Sequence, residues 1–131
     1  MRYLDELKAL DLPKDRYVVF GSGPLAIRGL RENRDIDLIL AEDLWEELKD
    51  NHPRNENGGL QLTPHIEAYK SWPRVQNPTA VIRSAELIDG VPFARLEDIE
   101  AWKSFSDDPE DRKDVGLIRV YRESHGSRRI S

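Results

Sequence analysis

The chain has 131 residues, 38% hydrophobic and 8% aromatic, which is enough apolar material for one core and one compact domain. It contains no cysteine, so a disulfide framework and a thiolate metal centre are both excluded. No run approaches the roughly 20 apolar residues of a membrane span, and Met1-Arg2-Tyr3-Leu4-Asp5-Glu6 lacks the apolar stretch of a secretory signal. A cytoplasmic enzyme or binding module with no membrane partner is the expectation. The formal net charge of −5 argues against a protein that coats nucleic acid by bulk electrostatics. Positive charge is instead local, at Arg28, Arg31 and Arg34 and in the C-terminal part from Arg112 to Arg129.

In chain order, Tyr3, Leu4, Leu7 and Leu10 have helical spacing, and the helix they predict ends before Pro13. Tyr17-Val18-Val19-Phe20 reads as a buried strand, Gly21-Ser22-Gly23-Pro24 as a turn, and Leu25 to Leu30 as a short helix. Ile36-Asp37-Leu38-Ile39-Leu40 is the next strand. A helix burying Leu44, Trp45 and Leu48 follows, with Asp43 as its expected N-cap, and Asn51 to Gly59 is a polar loop. The run from Leu60 to Tyr69 alternates like one strand interrupted at Pro64, which would put Thr63, His65, Glu67 and Tyr69 on a common polar face. Asp89-Gly90, between Ala85–Ile88 and Val91–Ala94, signals a hairpin. Leu96, Ile99, Trp102, Lys103 and Phe105 predict a helix. Asp108-Pro109-Glu110-Asp111 starts a last helix with Val115, Ile118 and Tyr121 inside. The domain is expected over 1–123, with 124–131 as a flexible tail.

Asp35 and Asp37 carry the strongest chemical signal. Side chains two apart on a strand share a face, so both carboxylates project together while Ile36, Leu38 and Leu40 point to a core. Paired like charges on a rigid element call for a hard divalent cation, which points to Mg²⁺. The Gly21-Ser22 turn between a strand and a helix suits a phosphate, because glycine allows close backbone approach and the serine hydroxyl can donate. Glu67, between Ile66 and Ala68, is the natural third acid, since a carboxylate flanked by apolar strand residues is costly unless used. His52, His65 and His125 lack the spacing of a zinc site.

Val18-Val19-Phe20-Gly21-Ser22, the helix ending Arg28-Gly29-Leu30-Arg31, and Arg34-Asp35-Ile36-Asp37-Leu38 together resemble the signature of the nucleotidyltransferase superfamily related to DNA polymerase β. The likeness is greatest to small prokaryotic members such as minimal nucleotidyltransferases and abortive-infection toxins. Leu96, Lys103 and Arg112-Lys113-Asp114 are similar to the Lys and Lys-Asp pair that follows the core in that group. The resemblance implies an α/β (α+β) domain with a small mixed sheet flanked by helices and closed by two C-terminal helices. The sheet would carry Asp35, Asp37 and Glu67 on one face, with helices on the other.

It also implies Mg²⁺-dependent transfer of a nucleoside monophosphate from an NTP, ATP being the expected one, to an acceptor hydroxyl. Asp35, Asp37 and Glu67 would be metal ligands and catalytic residues. Gly21, Ser22, Arg34, Lys103 and Lys113 would bind the nucleotide. The acceptor is left open between an RNA end, a protein hydroxyl and a small molecule, and a partner chain or homodimer could complete the cleft. The chain departs from the pattern at Arg34, where relatives carry Ser or Thr, at Leu117, where a further acid is common, and at Glu67, where Asp is commoner. These departures motivate a second reading, a degenerate binding or regulatory module, as in one half of a toxin–antitoxin pair.

Overall fold

The computed structural model describes residues 1–126. Its elements are α1 (Leu4–Ala9), β1 (Tyr17–Phe20), α2 (Gly23–Ala26), β2 (Ile36–Leu40), α3 (Glu42–Leu48), β3 (Leu60–Thr63), β4 (Ile66–Tyr69), α4 (Pro78–Arg83), β5 (Glu86–Ile88), β6 (Val91–Phe93), α5 (Leu96–Lys103) and α6 (Pro109–Gly126). The strands form one mixed sheet in the order β3-β4-β2-β1-β6-β5. β1 and β2 are antiparallel, whereas β2 and β4 are parallel, the crossover between them carrying α3 and β3. This is the expected α/β architecture, with α5 and α6 as the two C-terminal helices. No helix among the described residues is long and apolar enough to cross a membrane.

The two central strands are apolar on both sides, so helices cover both faces of the sheet. One cluster joins Val19, Leu38 and Phe93 to Leu7 of α1 and to Leu44 and Trp45 of α3. The other joins Val18, Phe20 and Ile39 to Leu25, Val81, Ile82, Ile99 and Ile118, contributed by α2, α4, α5 and α6. Asp37 follows the parity of Ile39, because it pairs with Phe20 across the β1–β2 ladder. The expected division, acids on one face and helices on the other, is therefore corrected. The acids share the face of α4–α6 and occupy its open end.

The run from 60 to 69 is a hairpin rather than one strand. Pro64 and His65 make the turn, and β3 folds back antiparallel on β4 with a register shift between Gln61 and Thr63. Proline supplies no N–H for a ladder, which favours a reversal there. His65 consequently leaves the expected polar face. Its ring stacks on Tyr3 at 3.9 Å and lies 3.2 Å from the Glu6 carboxylate, which also accepts from the Thr63 hydroxyl.

Three smaller differences follow from local chemistry. The α3 N-cap is Ala41, and Asp43 sits inside the first turn with its Oδ1 accepting from Leu44 N at 2.8 Å. The helix α4 was not anticipated, although Asn77 caps it by accepting from Ala80 N and Pro78 occupies its first turn. Phe105 lies past the end of α5 and is 70% exposed. The Asp89-Gly90 hairpin and the Asp108-Pro109 start of α6 form as read, with Asp89 and Gly90 at φ 53 and 75 and Asp108 Oδ1 accepting from Glu110 N. α6 runs through Gly126, so the first residues of the expected 124–131 tail are helical; 127–131 lie outside the described residues.

Candidate functional site

A cleft of about 230 Å³ opens at the end of β1, β2 and β4. Gly21, Ser22, Arg34, Asp35, Asp37, Glu67 and Lys103 all line it, joined by Arg31, Trp72, Trp102, Glu110 and Asp111. Of the residues expected to contribute, only Lys113 is elsewhere, on the exposed side of α6.

The acids are placed by sheet register. Asp37 and Glu67 are direct partners across the parallel β2–β4 pairing, which brings their side chains together on one face. Asp35 sits just before β2, in a segment pinned by the buried Asn33. The Asn33 side-chain amide donates to the backbone oxygens of Arg2 and Asp35 and accepts from Arg2 N. The backbone bond from Ile36 N to His65 O, 2.9 Å, ties the start of β2 to the start of β4. Asn55 reaches over from the loop before β3 and donates to Glu67 Oε1 and Tyr69 Oη.

Gly21 is required at its position for two reasons. Its φ of 63 lies in the left-handed region, and a Cβ there would sit 3.0 Å from Asp37 Oδ2. The turn thus presses against the acid it faces, which places any group held by Gly21 and Ser22 next to Asp37.

Burial, then Glu67 and Asp35 beside it, push the Asp37 carboxyl up to about 7, with Lys103 pulling the other way. Among the described residues no Lys, Arg or His nitrogen comes within 4 Å of the carboxylates of Asp35, Asp37 or Glu67. Arg34, read as a phosphate contact or as a neutraliser of Asp35, is 83% exposed, and its nearest acid partner is Glu110 at 3.8 Å.

The facing wall is helical and fully paired. Lys103, only 5% exposed, donates to Asp114 at 2.6 Å and to Asp111 at 3.2 Å. Arg31 forks between Asp114 and Glu110, each at 2.8 Å, and donates to Glu32 O. Asp114 therefore clamps α5, α6 and the segment after α2 together. It is this acid, not its neighbour Lys113, that serves the site. Arg31 and Asp114 enter the sequence reading only as parts of the resembling motifs, and Asp111, Trp72 and Trp102 have no site role in it. A salt partner eleven residues away on another helix leaves no local pattern.

Among the described residues no three His, Cys, Asp or Glu side chains form a preassembled metal centre. The donors of the cleft nevertheless suit Mg²⁺, which is commonly held by one or two carboxylates and completed by water and substrate phosphates. Asp37 and Glu67, in register and short of positive charge, are such a pair. Comparison of the chain with protein-family models and with curated proteins finds no match, so the cleft's own chemistry carries the functional reading.

Proposed function

We propose that the chain is a Mg²⁺-dependent nucleotidyltransferase that uses ATP or another NTP and works in the cytoplasm. The observation that carries this reading is the register of Asp37 with Glu67, beside a glycine turn that touches Asp37 and opposite a fixed Lys103. Asp35, Asp37 and Glu67 would hold the cation, and Gly21, Ser22 and Arg34 would bind the phosphate tail. Bound there with the phosphates, Mg²⁺ supplies charge neutralisation for the leaving group. The acceptor oxygen bonds to the α-phosphorus as the bond to the β-phosphate's bridging oxygen breaks, and pyrophosphate departs. Asp37 and Glu67 would help activate the acceptor hydroxyl through the cation they hold, and its proton would pass to solvent water. Lys103, held rigid by Asp114 and Asp111, contributes fixed positive charge at the far side.

The test is a titration of Mg²⁺ and each NTP against the wild type and the Asp35→Asn/Asp37→Asn variant. Binding is expected in the first and lost in the second; equal affinity in both, or none in either, overturns the reading. A second reading, a degenerate binding or regulatory module of the toxin–antitoxin kind, is favoured by Arg34, which turns to Glu110, and by Leu117 in place of a further acid. Pyrophosphate release on incubation with NTPs and cellular RNA, protein or small molecules separates the two.

A further inference from the structure

Beside the acid cleft lies a wider groove of about 810 Å³. The two share Trp72 and Trp102 as a common wall. Half-buried rings form the groove's inner side. Tyr69 meets Trp72 edge-on at 5.2 Å, and Trp72 meets Trp102 edge-on at 5.6 Å. Two exposed cations, Arg54 and Lys70, form the rim, lying 5.0 and 5.7 Å from the Trp45 ring centroid.

Charge distinguishes this groove from the rest of the surface. The chain carries a net charge of −5, yet no carboxylate lines the groove. Among the described residues neither Arg54 nor Lys70 has a carboxylate within 4 Å, whereas seven of the thirteen Lys and Arg side chains of the first hundred residues do. Glu46, which feels both charges, is engaged by Lys49 at 2.6 Å. Half-buried rings beside cations without a carboxylate partner match a ligand that offers planar groups and a polyanionic backbone together.

Position adds the direction of entry. Tyr69 follows Glu67 by two residues on the same face of β4, while Gly21 and Ser22 lie past the end of β1, on the other side of β2. A ligand in the groove therefore approaches Glu67 and Asp37 from the side opposite the turn. An acidic peptide would satisfy the rim but leave the rings without stacking partners. The unstacked bases of a single strand satisfy both.

We infer that this groove seats a single-stranded nucleic acid, with bases against Tyr69 and Trp72, phosphates on Arg54 and Lys70, and one end directed to Glu67. That the strand is the acceptor rests on the proposed function; that the groove binds it does not.

The experiment uses fluorescent oligo(U) and oligo(dT) of about 12 nucleotides with the full chain, in EDTA and without nucleotide. Saturable binding with quenching of tryptophan emission is expected, and log K should fall against log salt with a slope of about −1.4 for two phosphate contacts. Trp72→Ala should weaken binding about tenfold or more. Because Trp72 also packs on Phe20, the exposed pair Arg54→Glu and Lys70→Glu provides a second variant, with its melting temperature checking that Trp45, which both cations flank, stays packed; it should lose binding and flatten the salt slope.

A second arm adds Mg²⁺ and α-labelled NTPs. Label on the oligonucleotide supports both halves. Groove-dependent binding with no label on the strand supports the groove and overturns the strand as acceptor, the transferase reading being judged by pyrophosphate release. No binding, or binding indifferent to the Arg54/Lys70 variant, overturns the groove while NTP affinity tested at Asp35 and Asp37 still judges the transferase. Label appearing on protein instead of the strand overturns the acceptor assignment.

Discussion

On the helical wall of the cleft, Lys103 and Arg31 engage Asp111, Asp114 and Glu110 with every head group matched; on the sheet wall, Asp37 and Glu67 lie in register near Asp35, and among the described residues no Lys, Arg or His nitrogen is within 4 Å of the three. Matched charges in a partly dry site add rigidity and resist rearrangement. Unmatched ones cost stability, and they persist where a ligand completes them. The helical wall therefore reads as framework and the sheet wall as working surface. Removing a charge should harm the first and relieve the second.

The sharpest way to break this contrast is to take away the shared acceptor. Asp114→Ala leaves Lys103 buried without its closest partner, and chemical denaturation should report a loss of about 3–5 kcal/mol. A loss below about 1 kcal/mol would mean that the network is dispensable. On the opposite wall, Asp37→Asn should lower Mg²⁺-dependent transfer at least about a hundredfold, the most that losing a mere outer-shell partner of a metal costs. The same substitution should stabilise the metal-free protein by about 1–2 kcal/mol, discounted for the water that reaches the cleft. A destabilised variant would place Asp37 with the framework.

Gly21→Ala joins the two effects. Forcing a Cβ into the left-handed region costs about 1–2 kcal/mol and pushes on Asp37 Oδ2, so both thermal stability and nucleotide affinity should drop together.

The pH dependence sharpens the contrast further. Asp37 has its proton affinity raised from 3.8 to about 7, so between those values the folded chain holds a proton that the unfolded chain has released. Stability of the metal-free wild type is consequently lost as pH rises through that window. The melting-temperature gap between Asp37→Asn and wild type should widen from about pH 4 to about 7 and then level. Mg²⁺ competes with that proton, so its affinity should climb over the same window. The smallest effect belongs to Lys113→Ala, expected within about 0.5 kcal/mol of wild type and with unchanged NTP affinity.

Much of the cleft was legible because strand parity is local. Ile36, Leu38 and Leu40 alternate with Asp35, Asp37 and Ile39 whatever the rest of the fold does, and Ile66-Glu67-Ala68 orients Glu67 even though the segment before it folds back as a hairpin. Helix parity was harder to use for charges. On α6, Asp114 belongs with Val115 and Ile118 on the buried side, and Lys113, one position earlier, is turned about 100° away. A Lys-Asp dipeptide viewed alone hides that difference. The groove was illegible for another reason. Arg54, Tyr69, Lys70 and Trp72 come from a loop, a strand end and the segment after it, and only the hairpin at Pro64 brings them together. The covering of both sheet faces was present in Tyr17-Val18-Val19-Phe20, an unbroken apolar run, but was read only as burial.

The Lys103–Asp114 contact also sets a schedule. A polypeptide still emerging from the ribosome can pair β1, β2 and β4 before α6 exists, and until residue 114 has left the exit tunnel Lys103 has no counter-charge and the cleft has no second wall. Nascent chains stalled short of that point should show protected sheet amides but no grip on nucleotide. Competence would then arrive abruptly when that contact closes, rather than growing with length.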